Sequence, residues 1–225
     1  MTRMFKFVKK TWNPFVGCRF NCSYCWARRM ARRLRCEKCR EFVPHFHPER
    51  LDKIPKSGMV FVSDMGDISF ASTEILRRIC EAINMIHEKH DVIFFFESKN
   101  PAIFGILHSL IEHGEQVIFS TTIETNIDFI ASQVSKAPSP SIRKYYMQYL
   151  SARKHVSIEP IMNFELPILF RWITEIEPEI VSIGYDNYSN HLPEPPLSKT
   201  LKLIEDLEAS GIIVERKTLR EAQKI

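Results

Sequence analysis

Five of the six cysteines, Cys18, Cys22, Cys25, Cys36 and Cys39, fall within 22 residues, and only Cys80 lies elsewhere. Disulfide frameworks spread their cysteines to staple distant segments, whereas thiols crowded into one stretch suit a metal. Two metal readings compete for them. In the first, Cys22-x2-Cys25 and Cys36-x2-Cys39 form two knuckles ten residues apart, a four-thiolate zinc site that leaves Cys18 over. The intervening Trp26 to Arg35 favours a helix, and a rigid helix of that length spans about 15 Å, which holds the knuckles apart. In the second, Cys18-x3-Cys22-x2-Cys25 is one unit behind a strand-like Thr11 to Gly17. Three thiolates on one tight loop suit three irons of a cubane and leave the fourth open to an exogenous ligand. Cys36 and Cys39 are then free to join His45 and His47 as a Cys2His2 set, for which zinc is the natural ion.

Such a loop needs elements to carry it. From residue 59 onward, short apolar runs at 59–62, 92–96, 116–119, 155–158, 180–183 and 212–214 read as strands apolar on both faces. Amphipathic stretches lie between them. Ser72 caps one with Ile75, Ile79, Ala82, Ile83 and Ile86 along a stripe; Pro101 opens another that Gly114 closes; Asn126 caps a third; Ser198 starts one that Gly211 ends. Strands alternating with helices mean right-handed βαβ units and a parallel sheet. The expectation is an α/β chain, a partial or complete (β/α) barrel, formed by residues 1–225 as a single domain with a Cys/His-containing insertion at about 36–50. No Gly-rich phosphate loop follows any strand. Barrels carry chemistry at the C-terminal strand ends, here Ser63 to Asp67, Glu97 to Asn100, Ser120 to Asn126, Glu159-Pro160 and Gly184 to Asn187.

The cysteine spacing, with Tyr24 just before the last cysteine and βα units behind it, resembles the radical S-adenosylmethionine superfamily. More narrowly, Thr11-Trp12-Asn13-Pro14 before Gly17-Cys18, Tyr24-Cys25-Trp26-Ala27-Arg28, Phe46-His47-Pro48-Glu49-Arg50-Leu51, Phe61 to Asp67, Lys99-Asn100-Pro101 and Ser157-Ile158-Glu159-Pro160 are similar to a phage-type and prokaryotic branch of it. That resemblance implies a [4Fe-4S] cluster on Cys18, Cys22 and Cys25. It also implies S-adenosylmethionine chelated to the open iron, and one-electron cleavage to a 5′-deoxyadenosyl radical that abstracts hydrogen from a substrate. The segment holding Asp64, Met65, Gly66 and Asp67 would bind the methionyl amine, Tyr24 would lie by the adenine, and Thr122, Glu124 and Asn126 would face ribose or substrate. Lys99 and Glu159 point to the same rim, to bind substrate or to pair with each other. No catalytic residue is assigned.

Charge singles out the same region. Residues 1–50 hold 13 Lys/Arg against 3 Asp/Glu, a balance of +10, while the rest hold 18 against 24, or −6, beneath a formal total of +4. Arg28, Arg29, Arg32, Arg33 and Arg35 on a helix make either a solvated face or a phosphate-binding surface. The latter suits a nucleic-acid substrate or an anionic one-electron donor such as flavodoxin or ferredoxin. Tyr145, Tyr146 and Tyr149 are expected in helical packing, and Cys80 as a small apolar filler. With 44% apolar residues the chain can bury a core, so disordered and fibrous classes drop out. It has no apolar run near the roughly 20 residues of a membrane span, and Met1 to Phe7 lacks a leader's apolar stretch, so the cytoplasm is expected. The alternative from another class is a non-catalytic zinc- and nucleic-acid-binding protein using Cys22, Cys25, Cys36 and Cys39.

Overall fold

Runs of Val, Ile and Phe become strands, and the stripes between them become helices. The computed structural model describes residues 5–223, so part of the N-terminal stretch weighed above as a leader lies outside them. In chain order the elements are β1 (Lys10–Trp12), β2 (Phe15–Val16), α1 (Trp26–Ala31), α2 (Glu37–Arg40), β3 (His45–Phe46), β4 (Gly58–Val62), α3 (Thr73–His87), β5 (Val92–Glu97), α4 (Ile103–Leu110) and β6 (Val117–Thr122). They continue as α5 (Asp128–Val134), α6 (Pro140–Gln148), β7 (Arg153–Ile158), α7 (Leu166–Ile176), β8 (Ile180–Ile183), α8 (Leu197–Ala209) and β9 (Ile213–Arg216). Seven strands form one sheet in the order β1-β4-β5-β6-β7-β8-β9, the α/β architecture expected; β2 and β3 form a small antiparallel pair. Among the described residues no helix is long and apolar enough to cross a membrane.

The chain divides into two compact units. One comprises residues up to Phe20 with Cys25–Phe119, and the other Asn21–Tyr24 with residues from Ser120 onward. In the first, β1, β4 and β5 pair in parallel, and Leu76, Ile79, Cys80 and Ile83 of α3 are buried. Ser72 caps α3, its hydroxyl accepting from Ile75 N. Burial pushes the Cys80 thiol up to about 12, as befits a filler. In the second unit β7, β8 and β9 pair in parallel, and buried Leu169, Ile173 and Ile176 of α7 and Leu203, Ile204 and Leu207 of α8 supply apolar stripes.

Several local expectations are corrected. The strand read across Thr11 to Gly17 breaks at Asn13-Pro14, because proline lacks the N–H the ladder needs. Gln116 lies in a 3-10 turn ahead of β6. The helix read over Trp26 to Arg35 stops at Ala31; Cys36 then caps the separate α2 with its sulfur. Helix α4 begins at Ile103 and ends at Leu110, short of Gly114. Asn126 does not cap α5: its Oδ1 accepts from Glu165 N at 2.8 Å, and Thr125 Oγ1 accepts from Ile127 N instead. Tyr145, Tyr146 and Tyr149 are exposed, and the Tyr145 ring lies against the other two with centroids 5.5 and 5.0 Å away.

The strand leading to the cysteines is locked by glycine. Gly17 bridges Gly66, donating to Met65 O at 3.0 Å and accepting from Asp67 N at 3.1 Å. A Cβ on Gly66 would stand 2.7 Å from Gly17 N and O. Gly66→Ala is therefore expected to cost about 2–3 kcal/mol through overpacking against rigid backbone; a urea unfolding midpoint within error of wild type would contradict this close approach.

Candidate functional site

The segment Lys10 to Trp12 forms β1 because its neighbour β4 offers a parallel ladder, and the chain then turns into the cysteine loop. Asn13 ties that turn to the end of β4. Its Nδ2 donates to Asp64 Oδ1 at 2.5 Å and its Oδ1 accepts from Met65 N at 3.0 Å. Cys18 and Cys25 are half-buried and pack against Ala27, Ala31 and Phe42. Cys18 Sγ accepts from Phe20 N and Cys25 Sγ from Arg28 N, both at 3.4 Å, the latter capping α1. In the second unit, half-buried Cys22 lies 3.1 Å from Ser135 Oγ, and Ser23 N donates to Val134 O. None of the three is in a disulfide. Soft, half-exposed sulfurs, two of them receiving backbone N–H groups and the third beside a hydroxyl, are the donor chemistry an iron–sulfur cluster takes, so the loop fits such a group.

The turn after β4 is built from inside. Asp67 is buried: its Oδ1 accepts from Ser98 Oγ at 2.6 Å and from Ser69 N and Oγ, and its Oδ2 accepts from Lys99 N at 3.0 Å. Burial pushes its carboxyl above the usual range against these donors. Its role in the fold is to bind the end of β5 to the end of β4. Asp64 is half-buried beside Asn13, and burial raises its carboxyl too. Ser63 heads the strand end already singled out in the sequence. This residue has φ of 60°, and its buried Oγ has no hydrogen-bond partner. A non-glycine residue held left-handed at a strand end with an orphaned hydroxyl is a place where a ligand atom can bond.

Cys36, Cys39, His45 and His47 form the group, among the described residues, whose ligand atoms all lie within 4.8 Å of one another. The structure thus unites Cys36 and Cys39 with two imidazoles, and the four-thiolate set with Cys22 and Cys25 is not what it assembles. The Cys39 N–H donates to Cys36 Sγ, and a hydrogen bond from Cys39 lowers the Cys36 thiol, whereas burial pushes Cys39 up to about 11.

The arginines divide. Arg28 turns inward, donating to Cys18 O at 3.1 Å and lying over the Phe42 ring, while Arg29, Arg32, Arg33 and Arg35 are exposed. Glu159 pairs with Lys217 at 2.6 Å, not with Lys99. Glu124 is wholly buried. Its Oε2 meets Arg143 Nη1 at 2.7 Å and its Oε1 accepts from the Tyr24 hydroxyl at 2.8 Å, so both oxygens are committed within the protein rather than to a ribose. Burial, and then the Glu124 charge, hold the Tyr24 phenol well above its ordinary value. Thr122 is buried, and its carbonyl accepts from Arg143. In the Gly184 to Asn187 segment, Tyr185 donates to Pro195 O and Asp186 accepts from Tyr188 and Asn190, so this strand end is also spent on the fold.

A second polar feature escaped the sequence. Ser120 Oγ lies 2.8 Å from His155 Nδ1, His155 Nε2 lies 2.9 Å from Ser182 Oγ, and Ser182 donates to Glu215 at 2.5 Å. These residues step across β6, β7, β8 and β9, and a polar residue at each of four neighbouring strands is the signal the sequence carried. Burial first, and Lys217 second, depress the His155 imidazole to about 3. The folded chain therefore keeps it neutral where the unfolded chain binds a proton. The stability this gives is present above about pH 6.5 and is lost as pH falls toward 3. We expect wild type to lose about 2 kcal/mol more than His155→Gln between pH 7 and pH 5. Parallel urea midpoints for the two proteins at both pH values would refute this.

No family model and no curated protein sequence matches the chain. Solved structures do. SuiB of Streptococcus suis bound to S-adenosylmethionine superposes with a TM-score of 0.59 at 10% identity, over 94% of this chain and 51% of that one. SuiB bound to its precursor peptide SuiA gives 0.62 at 11% over 94% and 49%. Spore photoproduct lyase with bound S-adenosylmethionine and dinucleoside spore photoproduct gives 0.59 at 11% over 88% and 60%. The chain shares their fold. That fold is the partial (β/α) barrel of the radical S-adenosylmethionine type, and this chain spans about half to three-fifths of the length of those proteins.

Proposed function

We propose that the chain is a radical S-adenosylmethionine enzyme in which Cys18, Cys22 and Cys25 hold a [4Fe-4S] cluster. The observation that carries this is the Cys-x3-Cys-x2-Cys loop that follows β1 and the short β2, at the start of a parallel βα sheet of that fold. Held by Cys18, Cys22 and Cys25, such a cluster would supply the one-electron chemistry for reductive cleavage of S-adenosylmethionine and hydrogen abstraction from a substrate. The protein's own part is positioning. Ser63 to Gly66 offers the methionyl amine the Ser63 hydroxyl, backbone carbonyls and the half-buried Asp64, while Asp67 fixes that turn from behind. Tyr24 packs with Met162 and Leu192 and is held by Glu124, which stiffens the loop between Cys22 and Cys25. Lys99, whose N–H meets Asp67, is assigned to the substrate side of that turn. An external one-electron donor, flavodoxin or ferredoxin, is required.

For the substrate we favour nucleic acid. Supporting this are the exposed Arg29, Arg32, Arg33 and Arg35, and the dinucleoside bound by spore photoproduct lyase. Neutralising Arg32 and Arg33 together is expected to weaken RNA or DNA binding uniformly across sequences and to reduce the slope of log K against log salt by about 2. An unchanged slope would remove the phosphate role.

The deciding experiment is anaerobic reconstitution with iron and sulfide, followed by dithionite and S-adenosylmethionine. We expect a brown protein that forms 5′-deoxyadenosine. A colourless protein without iron, or iron-loaded protein that forms none, would overturn the proposal.

A further inference from the structure

The geometry points to a second metal site: we propose that Cys36, Cys39, His45 and His47 bind one zinc ion in a closed tetrahedral site that braces the strand leading into Cys18. The argument begins with protons. His45 Nδ1 lies 2.7 Å from Val43 O, and a carbonyl only accepts, so the neutral ring carries its proton there and presents a bare lone pair at Nε2. His47 Nδ1 lies 2.7 Å from Glu49 Oε1, with the same consequence. Both Nε2 atoms face sulfur. Cys36 Sγ is 3.5 Å and Cys39 Sγ 3.4 Å from His45 Nε2, and Cys39 Sγ is 3.3 Å from His47 Nε2. Two thiols have at most two S–H protons to share among these three contacts. A single cation satisfies all of them.

The lengths agree with an ion at the centre. Zn–S bonds of about 2.3 Å and Zn–N bonds of about 2.0–2.1 Å set sulfur–nitrogen edges of a tetrahedron near about 3.6 Å. The three edges here are 3.3 to 3.5 Å. Further groups are those that orient metal ligands: a carbonyl behind one imidazole, a carboxylate behind the other, and Cys39 N donating to Cys36 Sγ within the knuckle. Two thiolates and two imidazoles with every position filled favour zinc and leave no open face for catalysis.

The purpose lies in what the loop touches. Strand β3, which carries His45, pairs with β2, matching Val16 with His45. Cys18 N donates to Phe42 O at 3.2 Å, and His47 N donates to Pro14 O at 2.7 Å. A Cβ on Gly17 would stand 2.3 Å from Val43 O. The backbone from Phe42 to His47 is therefore the bed on which Pro14 to Cys18 lies, and an ion tying Cys36 and Cys39 to the far end of that bed fixes its shape.

The test uses the full chain carrying Cys18→Ala, Cys22→Ala and Cys25→Ala, purified and analysed for metals. We expect one zinc and no iron. Adding Cys39→Ala or His47→Ala should drop zinc below about a tenth per chain, and cobalt(II) in place of zinc should give tetrahedral d–d bands with thiolate charge transfer. Because a ligand variant could unfold, the exposed Glu49→Gln provides a second measure: zinc affinity, read by chelator competition, should fall about 10- to 100-fold with the fold retained. Zinc that survives Cys39→Ala and His47→Ala, a triple variant that binds neither zinc nor cobalt, iron in the site instead, or an unchanged affinity in Glu49→Gln overturns the assignment. Since 5′-deoxyadenosine is not a readout, failure of this site and failure of the proposed function are seen separately.

Discussion

Replacing Cys18 with Ala abolishes cluster assembly: the reconstituted protein stays colourless and 5′-deoxyadenosine formation falls by more than about 10³-fold, to background. Cys18 is the sharpest of the three positions to test, for two reasons. Cys22 and Cys25 are shared between the radical reading and the four-thiolate alternative, whereas Cys18 belongs to the first alone. In addition, Cys25 caps α1 with its sulfur, so Cys25→Ala also removes a helix cap worth about 1 kcal/mol, and loss of iron there would have two causes. Cys18 Sγ accepts a local N–H from Phe20, and the Gly17 to Gly66 bridge that positions the loop is made by backbone. The variant should therefore keep its far-ultraviolet circular dichroism while losing iron. A Cys18→Ala protein that binds iron to the same extent as wild type would end the cluster assignment.

Where the sequence was legible, the reason is that one physical rule dominated. Val92 to Phe96 is apolar on both faces and bounded by polar residues, so only a buried parallel strand accommodates it. Ser72 ahead of a stripe of Ile and Leu leaves little choice but a capped helix. The strand ends were harder. Asp64, Asp67 and Glu124 read as ligand-facing and Glu159 as facing substrate or Lys99, because a sequence shows a charged residue at a rim but not the partner that arrives from elsewhere. Asp67 is consumed by Ser98, Ser69 and Lys99 N, Glu124 by Arg143 and Tyr24, and Glu159 by Lys217. Burial explains the pattern, since a carboxylate withdrawn from water must find donors, and the nearest are those of the fold. The same rule hid the state of the Ser63 hydroxyl and the surroundings of His155. Nothing in their local sequence marks a hydroxyl left without a partner or an imidazole enclosed by two serines. Metal ligands were more legible because their chemistry resides in the residue types themselves, and Cys36-x2-Cys39 with two nearby histidines needs no distant partner.

The buried pair of Glu124 and Arg143 should give the largest single stability effects in the second unit, and unequal ones. Arg143 is 1% exposed and Glu124 is fully enclosed. Removing one member leaves the other as an uncompensated buried charge, which costs about 3–5 kcal/mol. The two removals are not equivalent, because the partners left behind differ. After Glu124→Gln, the guanidinium still donates to Thr122 O and, through Nε at 2.9 Å, to Pro138 O, and the amide oxygen of the new side chain can accept as well. After Arg143→Met, the Glu124 carboxylate retains only the Tyr24 hydroxyl among these two partners. We therefore expect Arg143→Met at the upper end of that range and Glu124→Gln at the lower end, with the double variant recovering part of the loss because no lone charge remains. Tyr24→Phe removes a hydrogen bond to a charged acceptor, worth about 1.5–3 kcal/mol. That effect reaches the proposed cluster loop, since Tyr24 lies between Cys22 and Cys25. Urea midpoints for the four proteins measure these costs. A loss under about 1 kcal/mol for Arg143→Met would mean that water reaches the pair and that Tyr24 is not anchored as described.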